Sequence, residues 1–155
     1  MVLVTAGCGA NASPLANAYQ TPEALIEAAL AAVEAEDGEA LRALLVSLEE
    51  FEEYVWPVLP DRNNTQLDFF WGTVAMNTRK GVRQLENNYG GIPIEVVSVD
   101  MPPEDELESY EQFTFHVGVE VIVRRLDTGE EGVLPSFDGL LEYGGRWKLL
   151  NYDEL

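Results

Sequence analysis

Apolar residues recur at helical spacing up to Tyr89 and at a period of two from Ile92 onward. In the first half, Leu25, Ile26, Ala29, Leu30 and Val33 share one face, and Glu23, Glu27 and Glu34 lie opposite. Thr21-Pro22-Glu23 supplies an N-cap, a first-turn proline and an early acid. Asp37-Gly38 breaks the run, and a short helix follows with Leu41, Leu44, Leu45 and Leu48 inward. Ser47 and Glu50 have capping-box spacing and open a third helix carrying Phe51, Tyr54 and Val55, which Pro57 and Pro60 end. The longest helical stripe is Leu67, Phe70, Trp71, Val74, Thr78, Val82, Leu85 and Tyr89, closed by Gly90-Gly91. Gly72 and Gly81 each lower helix propensity by ~1 kcal/mol relative to Ala.

In the second half, Ile92 to Met101 reads as a strand stopped by Pro102-Pro103. From Tyr110 to Leu126 the alternation is clearest. Phe113, Phe115, Val117, Val119, Val121 and Val123 form an apolar row against a mixed row that includes His116, Glu120 and Ile122. Gly118 is the natural bending point of that strand. Glu131 to Tyr143 returns, with Pro135 marking an edge, a bulge or a strand entry. Gly144-Gly145 turns the chain into a last strand from Arg146. Helices followed by strands predict an α+β domain, with N-terminal helices packed on a curved four-stranded antiparallel sheet.

Composition narrows the function. The chain has 155 residues, one domain's worth, and 28 acidic against nine basic residues give a net charge of −19. Only Lys80 and Lys148 are lysines. Such a surface repels phosphate backbones and anionic head groups, so nucleic acid is excluded as a partner and a bare lipid surface is disfavoured. With one cysteine and one histidine, the sequence offers no zinc-ligand spacing and no internal disulfide, and no metal or cofactor is expected.

The N-terminus carries a different signal. Ala6-Gly7-Cys8 resembles a bacterial lipobox, in which the cysteine becomes the lipidated first residue of the mature chain. Thr5 stands where such signals prefer Leu, and only Val2, Leu3 and Val4 remain of an apolar run, so the expected start lies upstream of Met1. Residues 1–20 are then a signal remnant and flexible tether, and 21–155 the domain. No apolar run approaches roughly 18 residues, so the only membrane attachment expected is a lipid anchor at Cys8, on the periplasmic or extracellular side of the cell envelope.

Candidate chemistry is sparse. His116 alternates with the apolar row and is expected on the outer face, exposed or at an interface rather than acting as a base. Asp138 is the best carboxylate, in a mostly apolar strand, where burial would raise its pKa and suit it as a base. Alternation groups it with Leu134, Ser136 and Leu140 and leaves either face inward. Tyr54, Trp56, Trp71, Tyr89 and Phe137 are the aromatics available to line a pocket, though such residues more often serve the core. Glu49, Glu50, Glu52 and Glu53 read as a solvated helix face.

The order of elements, and the ending from Asp138-Gly139-Leu140-Leu141-Glu142 through Gly145-Arg146-Trp147-Lys148-Leu149, resemble the nuclear-transport-factor-two-like superfamily of cone-shaped, polyketide-cyclase-like α+β domains. The likeness covers Thr21 to Asp153 and implies a curved sheet folded over a long helix with a hollow between them. The superfamily holds isomerases, dehydratases and non-catalytic binding domains, so the resemblance does not choose a function. The leading expectation is an exported, membrane-tethered, non-catalytic domain binding a small apolar ligand or an envelope protein. The alternative is a small-molecule isomerase or cyclase using Asp138 as base. A third is a homodimer paired through the sheet face around His116, Glu120 and Ile122, as against a monomer.

Overall fold

The computed structural model describes residues 13–137 and 139–153. Cys8 and Asp138, the expected lipidation site and the candidate base, lie outside the described residues. The Thr21 hydroxyl accepts the Ala24 N–H at 3.1 Å and opens α1 (Pro22–Glu34). Its whole apolar stripe from Leu25 to Val33 is buried, while Glu23, Glu27 and Glu34 are exposed. Each Leu, Ile or Val buried this way contributes about 1.5–3 kcal/mol. The Asp37 carboxylate accepts the Glu39 and Ala40 amides and starts α2 (Gly38–Ala43). The helix stops there because the chain turns to pair with the C-terminal strand. Leu149 N–H donates to the Leu44 carbonyl at 3.0 Å, and Val46 N–H to the Leu149 carbonyl at 2.8 Å. Leu48, expected inward, is 40% exposed as a result.

The capping box forms as predicted. Glu50 N–H donates to the Ser47 hydroxyl at 3.1 Å, and Ser47 N–H to the Glu50 carboxylate at 2.8 Å, opening α3 (Leu48–Glu50). The chain continues as a π turn over Phe51–Val55 and 3-10 turns over Trp56–Val58 and Pro60–Asn63. Next comes α4 (Leu67–Tyr89), whose two halves differ. Thr78, Gly81, Val82 and Leu85 are buried, whereas Trp71 and Val74 are half-buried and Phe69 is 75% exposed. Gly81 is where the C-terminal segment crosses the helix, since a Cβ there would lie 2.3 Å from the Tyr152 carbonyl oxygen.

The strands are β1 (Ile94–Asp100), β2 (Glu108–Ser109), β3 (Phe113–Val117), β4 (Glu120–Arg125), β5 (Glu131–Val133), β6 (Gly139–Tyr143) and β7 (Arg146–Leu149). All strand pairs are antiparallel. The single four-stranded sheet expected from the sequence is instead two sheets, ordered β1-β4-β5 and β2-β3-β6-β7. The long predicted strand from Tyr110 to Leu126 is divided at Gly118, whose φ of 87° only glycine adopts readily. A 3-10 turn at Pro135–Phe137 likewise separates β5 from β6.

The break at Gly118 also changes what the apolar row faces. Val119, Val121 and Val123 pack with α1 and the buried half of α4. Phe113 packs in a second cluster with Leu15, Val46, Phe51, Val55 and Leu59. The sheet β2-β3-β6-β7 therefore packs apolar side chains on both faces, although β2 at its edge is exposed. Leu140 and Leu149 face the α1 core, and Leu141 and Tyr143 face the second cluster. The packed domain begins before Thr21. Leu15 is buried, and Tyr19 exchanges two 2.9 Å backbone hydrogen bonds with Trp147.

Candidate functional site

The lightly buried half of α4 roofs two adjoining clefts. The first, of about 440 Å³, lies between α4 and the sheet, with Phe51, Trp71, Val74, Phe115, Val117 and Leu150 among its walls. Its aromatic side is a group of rings in contact. The Phe51 ring lies 5.1 Å from Trp71 and 5.6 Å from Phe70, and Trp56 lies 5.3 Å from Phe70. Its charged lining residues are Asp61 and Glu108, both exposed. Phe69 and Val117 stand largely exposed at its edge.

The second cleft, of about 560 Å³, lies among α2, α3, α4 and β7. It shares Val46, Trp71, Val74 and Leu150 with the first, so the two meet along that wall. A buried ion pair lies at this cleft. Lys148 Nζ sits 2.9 and 3.2 Å from the two Glu50 carboxylate oxygens, with Lys148 4% and Glu50 9% exposed. The carboxylate also accepts Ser47 N–H at 2.8 Å and Ala16 N–H at 2.7 Å. Burial pushes the Glu50 carboxyl up, but the Ser47 amide, the Lys148 ammonium and the Ala16 amide together hold it below the ordinary carboxylate value. Glu50 is thus an ionised, fully hydrogen-bonded group rather than the solvated side chain its acidic run suggests.

His116 also departs from expectation. It is 7% exposed, because it lies beside Leu140 on the sheet face that turns toward the α1 core. Its Nε2 lies 3.1 Å from Glu142 Oε2, its ring centroid lies 4.6 Å from that of Trp147, and its Nδ1 has no partner among the described residues. Glu120 is exposed and Ile122 half-buried on β4, in the other sheet from His116. Neither His116 nor Glu142 lines any of the described clefts.

The aromatic candidates separate. Trp71 lines both clefts, and Trp56 backs the aromatic wall. Tyr54 borders a separate hollow of about 400 Å³ with Tyr110, Phe113 and Tyr143. Phe137 is fully buried against Tyr152, ring centroids 5.9 Å apart, and Tyr89 packs on the α1 core. Sequence reasoning passed over Lys148, Arg42 and Arg79, all at the second cleft. The available signal was the lone lysine between Trp147 and Leu149, in a strand whose burial on both faces demands a partner for it.

Among the described residues no cluster of His, Cys, Asp and Glu is placed to hold a metal ion. Nor is any described helix long and apolar enough to cross a membrane. Comparison with protein-family models, with curated proteins and with solved structures gives no match for this chain.

Proposed function

We propose that this chain is an exported, lipid-anchored, non-catalytic domain of the cone-shaped α+β kind, and that it binds a small apolar ligand under the N-terminal half of α4. The observation that carries the reading is the aromatic-walled cleft of about 440 Å³ between that helix and the sheet. Its size is that of a small-molecule site, and apolar and aromatic side chains make up most of its walls. The sheet's division at Gly118 supports the cone-like architecture, since it lets one run of chain curve around the helices. The Ala6-Gly7-Cys8 signal supports export and anchoring.

A neutral apolar fluorophore, N-phenyl-1-naphthylamine, tests the cleft directly. It is expected to bind the full chain and quench Trp71, a quench lost in Trp71→Phe. Phe115→Asp, which puts a charge on the apolar wall, is expected to weaken binding at least about tenfold. No binding, or binding indifferent to Phe115→Asp, contradicts the reading. For the anchor, the chain is expressed in bacteria behind a complete export signal and labelled with palmitate. Label that persists in Cys8→Ser contradicts lipidation at that residue.

A further inference from the structure

The two clefts under α4 differ in charge. The first is walled mainly by apolar and aromatic side chains, and its charged lining residues are the carboxylates Asp61 and Glu108. The second gathers Arg42, Arg79 and Lys148, a third of the basic residues of a chain that carries only nine. Among the described residues, Glu50 is the one acidic residue that lines it. Glu50 does not offset the arginines, because its oxygens are occupied by Lys148 and by the Ser47 and Ala16 amides. Arg42 and Arg79 are exposed, and neither forms an ion pair among the described residues. The Glu86 carboxylate reaches the same glycine surface as Arg42, at Gly38, and no ion pair joins the two.

We propose that the ligand is an amphipathic anion, its apolar chain in the aromatic cleft and its carboxylate or phosphate head between Arg42 and Arg79 in the second. This rests on the reading that the aromatic cleft binds apolar matter. The orientation follows from charge. A surface of net −19 repels an anion over most of its extent, and the carboxylates at the first cleft repel it there. Of these two clefts the second is the one lined by guanidinium groups, which match the planar oxygens of a carboxylate or phosphate. The shared wall of Val46, Trp71, Val74 and Leu150 is where the chain would pass from one cleft to the other.

Three ligands with one chain and different heads, dodecanoate, dodecyl phosphate and dodecanol, are titrated calorimetrically into the full chain below their aggregation concentrations. At least one anion is expected to bind about tenfold or more tighter than dodecanol. Which anion wins distinguishes a carboxylate ligand from a phosphate one. In Arg42→Gln/Arg79→Gln that preference is expected to fall at least about fivefold while dodecanol affinity holds, and both exposed sites tolerate the change. Dodecanol binding as tightly as both anions, or a preference that survives the double substitution, overturns this inference and leaves the apolar site standing. Failure of all three to bind overturns both.

Discussion

Substituting methionine for Lys148 keeps most of the side-chain length and removes only the ammonium. Glu50 then stays buried, with the Ser47 and Ala16 amides as its remaining donors. Breaking a buried ion pair from one side costs about 3–5 kcal/mol. Two retained hydrogen bonds place Lys148→Met at the lower end, about 3 kcal/mol near neutral pH. That is a large share of the 5–15 kcal/mol that typically holds a domain together, roughly. The pH dependence has a definite sign. Glu50 is held below its ordinary value in the folded protein, so its contribution is present above the ordinary carboxylate value and lost as pH falls below it. Without Lys148, burial acts on Glu50 with less to oppose it, and the variant takes up a proton on folding more readily. The deficit of Lys148→Met should therefore be largest near neutral pH and shrink on acidification. Urea denaturation followed by tryptophan fluorescence measures it at both ends. A deficit under about 1 kcal/mol near neutral pH, or one that is constant with pH, refutes the account of Glu50.

Gly81→Ala separates local propensity from packing. Propensity alone predicts a gain of ~1 kcal/mol, but a Cβ 2.3 Å from the Tyr152 carbonyl oxygen predicts a loss of about 1–3 kcal/mol, read from the same denaturation curves. Tyr152 is fully buried and donates to the Leu41 carbonyl, and burial pushes its phenol far above the usual tyrosine value. Its neutral form is favoured by folding, so this contribution is complete below the ordinary tyrosine value and is lost as pH rises above it. Ultraviolet titration should show one of the six tyrosines ionising only with unfolding, and full titration of all six in the folded protein would contradict this.

Local signals in the sequence carry over to the structure where a single element decides the outcome. Thr21 and the Ser47–Glu50 box cap the helices they were expected to cap, because a cap depends on residues within one turn, and Asp37, read only as a break, caps α2. Gly118 does mark the bend, and its positive φ was legible as a glycine inside a strand. Alternation across that bend was not. Counting by twos assumes one sheet with one buried face, and here β3 belongs to a sheet that packs side chains on both faces. That is why His116 is buried against Trp147 and Glu142 instead of facing solvent. The same error hid Lys148, one residue from Leu149 on the opposite face. Glu50 looked like one more charge in an acidic run, and its partner lies too far along the chain for any local pattern to reveal.

The buried pair also bears on how the clefts keep their shape. A well-packed apolar pair would stabilise the domain as well as Glu50 and Lys148 do, so stability alone does not account for them. What an apolar pair would lack is direction. The Glu50 carboxylate ties together the Ala16 amide, the Ser47 turn and the β7 ammonium, three segments remote in sequence that meet at the second cleft. Ala16 and Asn17 line that cleft themselves. On the proposed anchoring at Cys8, the stretch back to the lipid can extend no more than roughly 3.5 Å per residue. The cationic cleft would then stay within roughly 30 Å of the membrane surface.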